Sequence, residues 1–298
     1  MRITNNMVTD NLLGQLQQLN SQTATLQTEV GTGLRISNPS DDPAAVSQVL
    51  QLENQSSQTT QYGVNANRAL SVSQASYSSL NSLMQIFDRA TELASEGGNG
   101  VDASNGSTLA TEVDQLVQQA TEVANSQYGG ESLFAGSAVG TTPFTAATNG
   151  QGQITGVTYA GNSQQVAIAL SPTTAISPWS SGSTNAGIGA FINNLAALRD
   201  ALNSGNATAL ASAQTSLNSS EDVLTSAVAE TGAVQARIQS DQTQQQSGLT
   251  NIASQISAAA DADLPTTIVK LNQVQLAYQA AMQTAAQVMQ LSILNYIH

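Results

Sequence analysis

The chain has 298 residues, no cysteine and a formal net charge of −13, with 9% of side chains charged and 4% aromatic. Without cysteine there is no disulfide, no thiolate zinc site and no thiol nucleophile. The bases Arg2, Arg35, Arg68, Arg89, Arg199, Arg237 and Lys270 stand singly, which argues against nucleic acid as a partner.

Charge is far below the ~25% of an ordinary domain, and so few aromatics do not suit a large compact core. The composition instead fits a mainly α chain of two or three domains, making extended contacts along helices. No segment holds the roughly 18 consecutive apolar residues of a membrane span, so no membrane insertion is expected. Met1 to Gly14 lacks the apolar run of a secretory signal, so export, if it occurs, is expected without a cleaved signal peptide.

Taken in order, the first element is a heptad helix. Leu12, Leu16, Leu19, Thr23, Leu26 and Val30 follow a 4-3-4-3 rhythm, and nothing between Asn11 and Thr28 is charged. At about 1.5 Å per residue the seam is roughly 27 Å long. Gly31 and Gly33 end it. Asp42 reads as an N-cap with Pro43 at the first helical position, Asp41 favours the positive helix end, and Arg35 pairs with either carboxylate.

Residues 43–62 read as helix, with Gly63 a candidate bend. The rhythm resumes at Ala66, Ala69, Ser73, Ser76, Leu80, Leu83, Phe87, Ala90 and Ala94, and stops at the turn cluster Gly97-Gly98-Asn99-Gly100. A further helix carries Leu109, Val113, Leu116, Ala120 and Val123 and ends near Gly129-Gly130. From Glu131 to Gly189 short apolar alternations lie among Gly, Thr, Ser and Asn. Gln153–Tyr159 and Gln164–Leu170 are strand candidates, joined through Ala160-Gly161-Asn162-Ser163 as a hairpin.

Ala190 to Leu202 returns to helix. From Asn206 to Ala260 the positions Leu210, Leu217, Leu224, Thr231, Ile238, Gln245, Ile252 and Ala259 recur every seven residues. An unbroken helix there spans about 80 Å, although Gly232 and Gly248 weaken it. Asp261-Ala262-Asp263-Leu264-Pro265 then punctuates the chain.

The tail repeats the opening rhythm through Leu264, Ile268, Leu271, Tyr278, Met282, Ala285 and Met289, with a second line of Val274, Ala281 and Val288 beside it. Lys270 is its one internal charge, and Gln273, Gln275, Gln279 and Gln283 interrupt it. Exposed helix faces normally mix charges, so both faces of this helix are expected to meet protein. Burial of one stripe does not offset the entropy of ordering the segment, and the tail should order fully only with partners.

Two uncharged heptad helices at opposite ends of one chain should pair with each other. The predicted architecture is an elongated antiparallel helical bundle or coiled coil with nested termini and a small β-rich insert. Its parts are a terminal assembly domain (1–42 and 261–298), a long-helix rod (43–130 and 205–260) and an outer domain (131–204). The assembly seam comprises Leu12, Leu16, Leu19, Leu26 and Val30 with Leu264, Ile268, Leu271, Tyr278, Met282 and Met289, and Arg35, Asp41 and Asp42 form a cap and ion pair.

Catalytic patterns are missing. The one histidine is His298, and there is no Gly-x-Ser-x-Gly elbow, P-loop or dinucleotide fingerprint. Glu221-Asp222 reads as solvated surface, and Asp261 with Asp263 as a turn or cap rather than a cation site. No enzyme activity, metal or cofactor is expected.

Several motifs carry a resemblance. Met1-Arg2-Ile3-Thr4-Asn5-Asn6-Met7, Leu34-Arg35-Ile36 and Ser40-Asp41-Asp42-Pro43-Ala44-Ala45 at one end, with Tyr278-Gln279-Ala280-Ala281 and Ser292-Ile293-Leu294-Asn295-Tyr296-Ile297 at the other, resemble the flagellin family. Leu133-Phe134-Ala135-Gly136-Ser137, Thr142-Pro143-Phe144 and Tyr159-Ala160-Gly161-Asn162-Ser163 look like its branch at the hook–filament junction, with Ala160 departing from an expected polar residue. The resemblance implies a structural subunit exported unfolded through the flagellar type III apparatus. It implies copies of itself, hook-associated protein 1 and flagellin as neighbours, and a cytoplasmic export chaperone on the C-terminal helix. The alternatives are a filament flagellin and, from another class, a secreted adhesin using the insert at 131–189.

Overall fold

The computed structural model describes residues 5–98 and 103–297, with the side chains of that span except those of residues 5, 6, 8, 9, 103, 104 and 288–297. Among the described residues the helices are α1 (Asn5–Thr32), α2 (Pro43–Gly98), α3 (Ala103–Ala124), α4 (Gly182–Ser204), α5 (Ala207–Ala260) and α6 (Leu264–Ile297). Short strands fall between α3 and α4: β1 (Gln127–Tyr128), β2 (Glu131–Ser132), β3 (Phe144–Thr148), β4 (Ile154–Tyr159), β5 (Ile168–Ala169) and β6 (Ala175–Ile176). The mainly helical class with a small β-rich insert is as expected. Two compact units are present, Met1–Gln58 with Gly248–His298, and Thr59–Ser247.

In the unit Thr59–Ser247, α2 and α5 run antiparallel. Gln214 Nε2 donates to Ala94 O (2.7 Å), Gln235 Nε2 to Ser73 O (3.1 Å) and Gln242 Nε2 to Asn67 Oδ1 (2.9 Å). All nine rhythm positions from Ala66 to Ala94 are buried, as are Leu210, Leu217, Leu224, Thr231 and Ile238 of the sevenfold series. Gly63, Gly232 and Gly248 break neither helix. Each costs about 1 kcal/mol relative to alanine, small against the side chains that the surrounding heptads bury.

Helices α3 and α4 complete the core, a single cluster that includes Leu83, Phe87, Val113, Val117, Phe191, Leu195, Leu217 and Leu224. The Phe87 and Phe191 rings lie 6.3 Å apart and tilted by 49°. The stretch expected as an outer domain, 131–204, lies within the unit Thr59–Ser247 and contributes to its core. Phe134, Phe144, Ile154, Val157 and Trp179 belong to this same core, because the insert has too few apolar residues to bury alone and is laid on α3 and α4 instead. Helix α4 also begins eight residues before the expected Ala190. Ser181 caps it by accepting from Thr184 N (3.2 Å), and Gly187 is tolerated because a Cβ there would lie 2.4 Å from Val223 Cγ1.

The expected hairpin of 153–159 with 164–170 is replaced by two others. β4 pairs with β3, Phe144 opposite Tyr159, and β5 pairs with β6. The turn between β3 and β4 is made by Asn149, whose Oδ1 accepts from Gln151 N and Gln153 N, each at 3.0 Å. Such an Asx turn in Asn149-Gly150-Gln151-Gly152 competes better for the hairpin than the 160–163 loop does.

Asparagine side chains close both outer edges of this hairpin. Asn125 accepts from Phe144 N and donates to Phe144 O, both at 2.9 Å. Asn193 accepts from Val157 N (2.7 Å) and donates to Val157 O (3.2 Å). Each amide takes the place of a neighbouring strand. Arg199, one of the scattered bases of the sequence, is 4% exposed and holds Asp114, Asp200 and the carbonyl of Ile154, each at 2.7 Å. Burial works against its charge, but the two carboxylates more than compensate, and its pKa lies above the ordinary guanidinium value. Asn125→Ala leaves the N–H and C=O of Phe144 unpaired. It is expected to destabilise the chain by about 1–3 kcal/mol, read as a lower urea midpoint; an unchanged midpoint contradicts the role given to Asn125.

Candidate assembly surface

In the unit Met1–Gln58 with Gly248–His298, α1 packs along α6. From α1, Leu12, Leu16, Leu19, Thr23, Leu26 and Val30, the residues of the expected rhythm, are half-buried, and Glu29 beside them is half-buried too. The α6 side is Thr267, Leu271, Val274, Tyr278, Ala281 and Ala285, also at 4-3 spacing. This departs from the expected line. Leu271 and Tyr278 lie on the paired face, but Leu264, Ile268 and Met282 are 41%, 45% and 49% exposed. The side chain of Met289 lies outside the described residues, as do the side chains of the closing motif from Ser292. The physical reason is size. Small residues at 267, 281 and 285 let α6 approach the leucines of α1, where larger side chains would overpack the seam.

Little else is covered in this unit. Its buried apolar residues, among those described, are Leu52, Ile252, Ala260 and Ala285. Exposed large apolar residues concentrate here: Met7, Leu13, Leu34, Leu50, Leu264, Ile268, Val269, Leu276 and Met282, against Val64, Tyr77 and Tyr128 in the other unit.

The segments joining α1 to α2 and α5 to α6 are tied together. Gly33 (φ 74°) ends α1, and its N–H reaches Glu29 O at 2.8 Å. Leu34 then forms an antiparallel bridge with Asp261, with Arg35 N donating to Ala260 O (2.7 Å) and Ala262 N to Gly33 O (2.8 Å). The Arg35 guanidinium donates from Nη1 to Asp42 Oδ2 (3.3 Å) and from Nη2 to Ala259 O (2.8 Å), the last turn of α5. Asp42 caps α2 by accepting from Ala45 N (3.0 Å). Asp41 does not assist that helix end as expected. Its Oδ2 accepts from Ser37 N and Asn38 N (3.1 and 2.7 Å), because the loop offers nearer unpaired amides.

Asp263 accepts from the Thr266 hydroxyl (2.6 Å), and Asp261 from that of Ser257. Among the described residues no group of three or more His, Asp or Glu is placed to hold a metal ion. Nor is any described helix long and apolar enough to cross a membrane.

The insert motifs 133–137 and 159–163 prove to be one structure. Asn162 Oδ1 accepts from Ser137 N (2.9 Å) and Gln164 N (3.2 Å), its Nδ2 donates to Ser137 Oγ (2.9 Å), and Asn162 N donates to Ala135 O (3.2 Å). Gly136 sits at φ 69°, where a Cβ would lie 2.3 Å from Asn162 O. Tyr159 OH donates to that same carbonyl (3.0 Å). Burial raises the Tyr159 pKa, and the hydrogen bond from Asn185 opposes the shift. Ala160 uses only its backbone, donating to Pro143 O (2.8 Å), so its departure from the motif leaves the knot intact.

Residues 3–139 match the family model for the bacterial flagellin N-terminal helical region. The resemblance to flagellins stands. Flagellar hook-associated protein 3 of Salmonella typhimurium is 30% identical over 152 residues, covering 50% of this chain and 48% of the relative. The Escherichia coli protein of the same name is 32% identical over 119 residues, covering 39% and 38%. The chain thus spans about half or less of the length of these curated relatives. Among solved structures, Bacillus cereus FlgL matches with a TM-score of 0.61 at 18% identity, covering 70% of this chain and 99% of that one. The flagellar junction protein FlgL of Legionella pneumophila matches at 0.53 and 15%, covering 72% and 100%. At these identities the structures share the fold.

The Asp42 carboxyl is held below the usual carboxylate range. The amide of Ala45 is the main cause, desolvation works against it, and Arg35 adds to it. A folded pKa below the unfolded value gives stability that is complete above the unfolded pKa, about 3.9. That stability is lost as pH falls through the folded one. A carboxyl titration followed by NMR is expected to place Asp42 below 3.9 (about) and to move it upward in Arg35→Gln; an Asp42 titrating at the ordinary value contradicts the cap.

Proposed function

We propose that the chain is a structural subunit of the bacterial flagellum, an adaptor at the hook–filament junction that polymerises through its terminal helices and seats flagellin. The observation that carries this reading is the concentration of exposed large apolar side chains on the unit built from the two chain ends. A pair of helices that buries one narrow seam and leaves Ile268, Leu276 and Met282 in water is half of a contact. Two relatives named flagellar hook-associated protein 3 and the flagellin N-terminal match support the same reading.

In this role the chain leaves the cell unfolded through the flagellar export apparatus, with a cytoplasmic chaperone holding α6. Outside, copies stack on hook-associated protein 1, and their far surface receives flagellin. The Leu264, Ile268 and Met282 side of α6 meets a neighbouring subunit, so the expected assembly residues serve on two faces, one within the chain and one between chains. Catalysis has no part in this function.

A minor filament flagellin is the rival within the family. Deleting the gene separates the two: loss of the junction subunit releases flagellin into the medium, whereas loss of a minor filament subunit leaves filaments attached. Ile268→Asp together with Met282→Asp is expected to leave the purified chain folded, because both sites are exposed, and to abolish incorporation. Burying an unpaired carboxylate between subunits costs several kcal/mol. Normal attached filaments in that strain sink the assignment. In the isolated chain, hydrogen exchange over 1–35 and 264–298 is expected to be much faster than over the core of 59–247.

A further inference from the structure

Beside the α1–α6 seam runs a groove of about 360 Å³, lined by Ser21, Gln22, Thr25 and Leu26 of α1 and by Lys270, Gln273 and Val274 of α6. Lys270 is the one lysine of the chain. It is exposed and makes no ion pair among the described residues. A solitary ammonium on a charged surface is ordinary. This one stands in a groove whose other polar groups are uncharged amides and hydroxyls, on a chain of net charge −13.

The two carboxylates on α1, Asp10 and Glu29, also lack an ion pair among the described residues. They differ in setting. Glu29 is half-buried, one turn beyond the groove-lining Thr25 and not itself part of the lining. Asp10 is exposed, and Met7 and Leu13, three residues to either side, are 59% and 48% exposed. At 3.6 residues per turn, Met7, Asp10 and Leu13 share one side of α1. That side therefore offers two apolar side chains around one carboxylate. The groove offers the apolar Leu26 and Val274 beside one ammonium.

We propose that the groove receives α1 of a second copy of this chain, with Asp10 of that copy set against Lys270. The contact depends on the assembly function proposed above and names its chemistry. It joins two different surfaces, so it is head-to-tail and can repeat from copy to copy. An exposed ion pair adds little to the stability of one chain, but matched charges select the partner and its register, and like charges reject it.

The test is charge reversal in full-length chains, each produced in cells lacking the wild-type gene, with attached filaments and flagellin in the medium as readouts. Lys270→Glu alone and Asp10→Lys alone are each expected to reduce attached filaments at least tenfold. The double reversal in one chain restores them. So does co-expression of the two single variants, because alternating copies then pair Glu with Lys and Lys with Asp. Failure of both restorations overturns the proposal, and so does restoration of Lys270→Glu by Glu29→Lys in place of Asp10→Lys. If Lys270→Glu assembles normally while the paired Ile268→Asp and Met282→Asp chain does not, the groove contact falls and the assembly function stands; if both assemble normally, both fall.

Discussion

Everything in the terminal unit follows from how leucines on one helix meet small side chains on another. Leu12, Leu16, Leu19 and Leu26 face Thr267, Ala281 and Ala285, with Leu271, Val274 and Tyr278 between them. The match brings the helices close and fills the seam with few atoms. It also spends the small residues of α6 on the intramolecular contact, so the large ones (Ile268, Leu276, Met282) are left outside. Area buried, more than helix propensity, sets the stability of such a pair.

The unit Thr59–Ser247 is stabilised differently. Phenylalanine, leucine, isoleucine and valine from four helices and the insert share one core, to which α2 contributes from Val72 to Ala94, and Ala66 and Ala69 join a second cluster with Leu170, Ile176 and Ile238. The insert needs polar devices as well. Asn125, Asn193 and Arg199 satisfy strand groups that a two-stranded ribbon leaves open, and Asn162 ties the loop after β4 to Ser137. A buried backbone group left unpaired costs more than a formed hydrogen bond gains, so these side chains decide whether the ribbon seats on the helices at all.

The motifs that carry the flagellin resemblance acquire physical roles. Leu34-Arg35 and Asp41-Asp42-Pro43 are the tie between the two connecting segments, with Arg35 reaching both the α2 cap and the end of α5. The runs 133–137 and 159–163, far apart in sequence, are two halves of one hydrogen-bonded knot. These positions fix where a chain reverses direction.

Much of the helical framework was legible beforehand, because a period of three and four records which side of a helix is buried whatever it packs against. The heptad series of α1, α2 and α5 are such records, and Leu210, Leu217, Leu224 and Ile238 proved buried as their spacing implied. On α6 two lines at similar spacing share Leu271, Tyr278 and Ala285. Side-chain size favoured the larger line, and only the fit against α1 selected the smaller. Strand pairing was likewise undetermined, since several short alternations compete and the turn at Asn149 settles which of them meet. The burial of Arg199 left no mark in a local pattern, because Asp114, Asp200 and Ile154 come together only when α3, α4 and β4 do. Periodicity is a property of one helix and survives in the sequence; the choice of partner is a property of two surfaces and exists only once they touch.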